Sequence, residues 1–278
     1  MLLPRRSALV VGAGLLVAIA ALSIAVPILS PYDTGAFVAA PLQAPSGAHP
    51  FGTDSFGRDV FVRVFAAGRL DLAIAVIGVS VPLLVGTVLG TFVAASRRRW
   101  LDVVVMRLID SIVAFPFVIL VLALVLVIGS DRSLGPLPAG LPALFASIFA
   151  TSWAIYARLA RAETLSLRQR DYIAAARLLG YSETRIVTRH LLPSVLRTTA
   201  TYAVSDAILI IIVAASLPFL GAGVQPPAPE WGSIMYEGRS VLETAWWITI
   251  LPGIVLALTG VGISLVADAL VAGREDRP

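Results

Sequence analysis

Apolar residues in this chain are gathered into long blocks rather than spread at helical or alternating spacing around a polar face. A helix rises about 1.5 Å per residue, so about 20 consecutive apolar residues cross a hydrocarbon core of about 30 Å. Six blocks approach that length: residues 8–29, 72–95, 103–128 with Asp110 near the start, 140–157, 199–220 around Asp206, and 246–266. The fourth is short and dotted with Ser147, Thr151 and Ser152. The pattern predicts an all-α polytopic membrane protein with six transmembrane helices. The first block follows Arg5 and Arg6 and contains Ala18-Ile19-Ala20, so a cleaved signal peptide and a retained anchor both come into question. Its apolar run continues nine residues past that site to Leu29, which favours the anchor. A twin-Arg export signal has only Ser-Ala-Leu after its arginines.

The segments between blocks divide the chain further. Residues 1–7 form an N-terminus, 8–29 the first span, 30–71 an external stretch, 72–270 a core containing an inner segment at 158–197, and 271–278 a tail. The external stretch is rich in Pro and Gly before Val60, Phe61, Val64 and Phe65 fall on one helical face, which predicts an interfacial helix. A later outer loop carries Pro226-Pro227-Ala228-Pro229 and then Glu230-Trp231-Gly232, an extended stretch leading to an interfacial aromatic. Pro82, Pro116 and Pro218 predict kinks. The inner segment is too long for a hairpin connection. Within it, Asp171 is expected to cap a short helix including Ile173 to Leu179, Gly180 to end it as a left-handed residue, Ser182 to cap a second helix, and Pro193 to mark the next break.

Composition sharpens this. Of 278 residues 58% are apolar and only 14% charged, against about 25% charged in soluble domains, so an ordinary soluble domain is excluded. The mean hydropathy of +0.90 agrees. All 21 basic residues are Arg, which excludes a GxxxxGK[ST] phosphate loop, a Schiff-base Lys and a Ser-Lys nucleophile. The chain itself is therefore not a P-loop ATPase. There is no Cys, and His49 and His190 stand far apart, so neither disulfides nor a metal centre is expected. With six spans and an inner N-terminus, sixteen Arg fall on inner segments and five outside, which predicts two cytoplasmic termini. Eight of the inner ones lie between Arg158 and Arg197. A nucleic-acid-binding helix pair would share that charge, but this segment is tethered to the bilayer at both ends and lacks interleaved aromatics. A secondary transporter would be expected to show internal repeats, and a membrane-embedded enzyme an HExxH or GxSxG cluster; neither pattern is found.

Asp171-Tyr-Ile-Ala-Ala-Ala-Arg-Leu-Leu-Gly180, with Ile186 and His190-Leu-Leu-Pro193, resembles the EAA loop of bacterial ABC-importer permeases. His49-Pro-Phe-Gly-Thr-Asp-Ser-Phe-Gly-Arg-Asp59 and Phe219-Leu-Gly-Ala-Gly-Val-Gln-Pro-Pro-Ala-Pro-Glu-Trp-Gly232 are similar to stretches of the dipeptide/oligopeptide/nickel subfamily, in particular its C-type subunit. Pro252-Gly253 and Asp268-Ala-Leu270 fit the same ending. The resemblance implies a type I importer permease fold in the bacterial cytoplasmic membrane. It implies a homologous B-type permease as partner, two ATPase subunits holding the ATP and Mg, and an external substrate-binding lipoprotein, with no cofactor in this chain.

By position the resemblance makes Ala175, Ala176 and Gly180 the motif's alanines and glycine, completed by Ile186, His190 and Pro193 in a coupling helix. Ala174 stands where the family has Glu, so Asp171 or Glu183 substitutes for it, or docking rests on shape and the arginines. The implied substrates are di- and oligopeptides, with nickel chelates, glutathione or another small solute as alternatives. His190 reads as a polar contact for the second helix or a proton sensor, and His49 as ordering its loop. An Asp in a span costs about 2.5 to 3.5 kcal/mol, so Asp110, Asp206 and Asp268 require a reason. Asp206 is expected to line the pore or to make a structural hydrogen bond; Asp110 and Asp268 are expected to pair with Arg107 and Arg274.

Overall fold

The computed structural model describes residues 4–96 and 98–275, with side chains as far as Ala272. Helix α1 spans Arg5–Leu29, α2 Val60–Ala95, α3 Arg99–Val113, α4 Phe117–Ile128 and α5 Leu141–Leu167. Two short helices follow, α6 at Asp171–Leu178 and α7 at Glu183–Ile186, the latter running through a π-helical turn (Val187–Leu191) into α8 at Leu192–Ser216. Helix α9 covers Trp231–Gly238 and α10 Trp247–Glu275. Among the described residues, five helical stretches are long and apolar enough to cross a membrane, and the bent α3–α4 pair makes six if it counts as one span. The fold is the multi-pass helical one that the apolar blocks predict.

Four expected boundaries move, each for a visible reason. The predicted interfacial helix is the first part of α2: Asp59 accepts a hydrogen bond from the Val62 N–H at 2.9 Å, and Val60, Val64 and Phe65 are buried under the outer loop. The third block is broken, with α3 and α4 meeting at 90° around Pro116, whose ring clashes with a continuing helix. Helix α5 extends to Leu167, well into the expected inner loop, because its arginines reach partners outside the bilayer. Pro193 marks no break. It sits in the first turn of α8, where the missing N–H follows a π turn and the helix carries on.

Helix α2 occupies the centre, packed on α1, α5 and α8, while α1 and α10 lie together on one side. Lipid tails are as apolar as Leu, so close backbone approach and interhelical hydrogen bonds must hold such helices together. Gly86 and Gly90 provide that approach: a Cβ at Gly86 would collide with the Trp153 carbonyl, and one at Gly90 with that of Ala157. Beside this crossing, Thr87 of α2 donates to Thr199 of α8 at 2.9 Å with both groups buried. Gly12 and Gly262 serve the α1–α10 crossing in the same way.

At the outer end, Arg58 bonds Asp54 at 2.6 Å and Glu237 at 2.7 Å, and the buried Arg63 shares Glu237 at 3.2 Å. His49 Nδ1 lies 2.7 Å from the Asp59 carboxylate, which ties the loop to the start of α2. Trp231 donates to the Val64 carbonyl and Trp247 to that of Thr53.

Replacing Gly86 by Leu should force α2 from α5 and lower the stability of the detergent-purified chain by at least about 1–3 kcal/mol. Gly14→Ala, where an added Cβ meets nothing within 4 Å, should be neutral. Thermal unfolding of both variants in one detergent checks this; equal melting points would contradict the packing assigned to Gly86.

Candidate functional site

Two places in the fold gather the singled-out residues. The first is the helix pair at the inner end. Asp171 opens α6 in its first turn, where its charge suits the positive end of the helix dipole, but its side chain makes no capping hydrogen bond; the expected cap is corrected in that respect. Gly180 ends α6 with φ +79°, the Gly180 N–H bonding the Arg177 carbonyl and the Tyr181 N–H that of Ala176. This is the Schellman arrangement that glycine permits at least cost. Ser182 accepts from the Arg185 N–H at 3.3 Å and so caps α7, as expected.

The pair has a small core of its own. Ile173, Ala176, Ile186, Val187 and Leu191 are buried together, with Ala95 of α2 and Leu167 of α5 packed against them. Arg168 reaches back to the Ala94 carbonyl at 2.6 Å and fixes the end of α5 to that of α2. Ala174 and Ala175 face outward, joined by Leu178 at 90% and Leu179 at 73% exposure, so an apolar tip projects beside the turn. Arg177 bridges the turn to Glu183 at 3.0 Å, and Arg185 lies over the Tyr181 ring at 4.3 Å. His190 is half-buried and stacked on Tyr181, with ring centroids 6.0 Å apart. Pro193 is exposed. The motif residues thus form one unit. Leu178 and Leu179 at its tip were not among the residues singled out in the sequence, where they read only as the end of the short helix.

The second place is a cavity of about 250 Å³ in the spanning region, beside the α3–α4 break. Phe117, Leu120, Ser152, Ile155, Tyr202 and Asp206 are among its lining residues. Broken backbone is tolerated at membrane depth where it lines a cavity or is covered by protein. Asp206 accepts a hydrogen bond from the Tyr156 hydroxyl at 2.8 Å, and the Tyr202 ring meets that of Tyr156 edge-on. Sequence reasoning missed Tyr156, Tyr202 and Ser152, although the hydroxyls that lowered the hydropathy of the fourth block mark this wall.

The other two acids lie elsewhere. Asp110 is exposed and pairs with Arg158 of α5 at 2.5 Å, not with Arg107 as expected; α5 faces that side of α3, and Arg161 grips Asp102 there in a two-bond fork. Asp268 is exposed on α10, and the side chain of its expected partner Arg274 lies outside the described residues. Among the described residues, no cluster of three or more His, Cys, Asp or Glu could hold a metal ion. On the outer side, Glu230 caps α9 through both carboxylate oxygens, and burial raises its pKa above the usual carboxylate value.

A multi-pass bundle with a helical projection at one end and an apolar-walled cavity holding one carboxylate belongs to the class of membrane transport components. Residues 86–276 match the family described as binding-protein-dependent transport system inner membrane component, and the chain belongs to that family. It is 36% identical over 229 residues to the dipeptide transport system permease protein of Alkalihalophilus pseudofirmus, covering 82% of this chain and 72% of that one. A putative peptide transport system permease protein of Brucella suis is 38% identical, covering 82% and 73%. The glutathione transport system permease protein of Pectobacterium atrosepticum is 36% identical, covering 82% and 72%. The protein is thus a permease subunit of the peptide-type ABC importers.

Ser182→Ala should destabilise α7 by about 1 kcal/mol, the usual worth of an N-cap. Hydrogen exchange at the Arg185 amide is expected to quicken about fivefold, while exchange in α2 stays unchanged; equal protection in both proteins would contradict the cap.

Proposed function

We propose that the chain forms half of the translocation pathway of an ATP-driven importer for di- and oligopeptides, and that α6–α7 is the element through which partner ATPases drive it. The observation that carries this reading is the inner helix pair: a glycine-turned projection with an apolar exposed tip, fastened by its own core to the ends of α2 and α5. Such a piece transmits a push as a rigid body, which alternating access requires. In this reading a homologous permease completes the pathway, two ATPase subunits hold ATP and Mg, and an external binding protein delivers substrate. Both termini lie on the cytoplasmic side, in accord with the arginines of the inner segments.

Ala174 replaces the acid of the family motif, and the Arg177–Glu183 bridge across the turn takes over the bracing of the two helices. Both side chains are partly exposed, so the bridge contributes at most about 1 kcal/mol to folding. Docking then rests on the shape of Ala174, Ala175, Leu178 and Leu179. The peptide substrate class follows the names of the relatives, and glutathione, named for one of them, is itself a peptide.

Co-expression of the tagged chain with its permease and ATPase partners tests the reading. Wild type should retain the ATPases through purification. Leu178→Asp should lose them while inserting normally, since its side chain is 90% exposed and makes no core contact in this chain. Gly180→Asn should retain them and Gly180→Arg should not: an added Cβ meets nothing within 4 Å, so the left-handed turn costs about 1–2 kcal/mol and the arginine at the tip does the damage. ATPase retention by Leu178→Asp and Gly180→Arg alike would overturn the docking role.

A further inference from the structure

Helix α8 carries Asp206 ten residues before its outer end at Ser216, about 15 Å along the axis, which places it near mid-membrane. One oxygen, Oδ2, accepts the Tyr156 hydroxyl at 2.8 Å; Oδ1 has no hydrogen-bond partner among the described residues. The arginines of neighbouring α5 are engaged elsewhere, Arg158 with Asp110 and Arg161 with Asp102. Ser152, also on the cavity wall, is 5% exposed, and its hydroxyl has no hydrogen-bond partner among the described residues. That is unusual on this helix: Ser147, Thr151 and Thr164 each bond a carbonyl one turn back. A half-satisfied carboxyl and a free hydroxyl therefore line one apolar-walled cavity.

We infer that this cavity is a subsite for a primary ammonium group, the α-amino terminus of a peptide in transit. Carboxylates inside a bilayer face a partner cation or a water-filled path. Among the described residues Asp206 has a hydroxyl partner and no cation, so the complementary charge is assigned to the cargo. Oδ1 of Asp206 accepts an ammonium hydrogen, with the unpartnered Ser152 hydroxyl buried in the same wall. A volume of about 250 Å³ takes an amino terminus and a small first side chain, not a whole peptide. Phe117, Leu120 and Ile155 offer a surface that admits many side chains without reading them. A single carboxylate without a bidentate clamp also holds weakly enough to release, as passage requires. The inference rests on the peptide-permease reading above.

The probe is n-butylammonium against its neutral analogue n-butanol, measured by thermal stabilisation of the assembled transporter. Wild type should be stabilised by the ammonium at concentrations about tenfold lower than by the alcohol, a ratio worth about 1.4 kcal/mol. Asp206→Asn should remove that preference and Asp206→Glu should keep it. Equal stabilisation by both probes in wild type, or an unchanged preference in Asp206→Asn, would overturn the subsite. If Asp206→Asn fails to assemble, the wild-type comparison still decides. Uptake of a dipeptide by the same wild-type transporter with its binding protein is measured in parallel. Uptake without ammonium preference defeats the subsite alone, whereas absence of uptake for peptides that the binding protein holds defeats the peptide-permease reading whatever the probes do.

Discussion

The close crossing of α2 and α5 at Gly86 and Gly90 is the constraint on which the rest depends. No side chain separates the two backbones there, so Tyr156 and Ala157 of α5 sit directly on α2. That seats the Tyr156 ring with no exposure and aims its hydroxyl at Asp206 of α8. The Thr87–Thr199 bond locks α8 to the same stretch of α2. Three helices thereby become one body, held by approach and hydrogen bonding rather than by expulsion of water, which is the available means in lipid.

That body extends to the inner surface. From Tyr156 to Leu167 is eleven residues of unbroken helix, about 16 Å. At its end Leu167 and Ala95 join the small core under α6 and α7, and Arg168 pins the two helix ends together. The helix pair is therefore joined to the cavity wall by the short turn at 168–170 and by the packing of Leu167 and Ala95 against its core. A displacement of the exposed tip at Leu178 and Leu179 has a continuous packed route to Tyr156 and Asp206. The bend at Pro116 stands at the same cavity, with α3 tied to α5 by Arg158–Asp110 and Arg161–Asp102 and α4 packed on α5 through Val121 and Val125.

Much of this was legible in the chain. Blocks of about 20 apolar residues require a membrane, and Gly180 with Ser182 specifies a left-handed turn followed by a cap whatever surrounds it. What escaped was set by tertiary contact. Val60 to Phe65 has an amphipathic pattern that suits an interface, yet the outer loop and α9 cover that face and the helix runs on. Asp110 has Arg107 one turn away in sequence, but Arg158 across the helix packing offers the better geometry. Pro193 and Pro116 look alike to pattern reading; one falls in a first turn, where its missing N–H is harmless, and the other at a true bend. The outline of the cavity could not be read, since it is made where α3, α4, α5 and α8 meet; Asp206, singled out as pore lining or structural, and the hydroxyls of the fourth apolar block were its legible parts.

The central claim is that the inner helix pair and α5 move as one body. The chain lacks Cys, so paired spin labels can be introduced directly, at Leu165→Cys on α5 and Arg189→Cys beyond α7. Their separation in the assembled transporter would be measured by electron paramagnetic resonance, without nucleotide and with ATP trapped. One distance common to both states is expected. A shift in that distance on ATP binding would show the helix pair sliding on α5, and the rigid route from tip to cavity would be wrong.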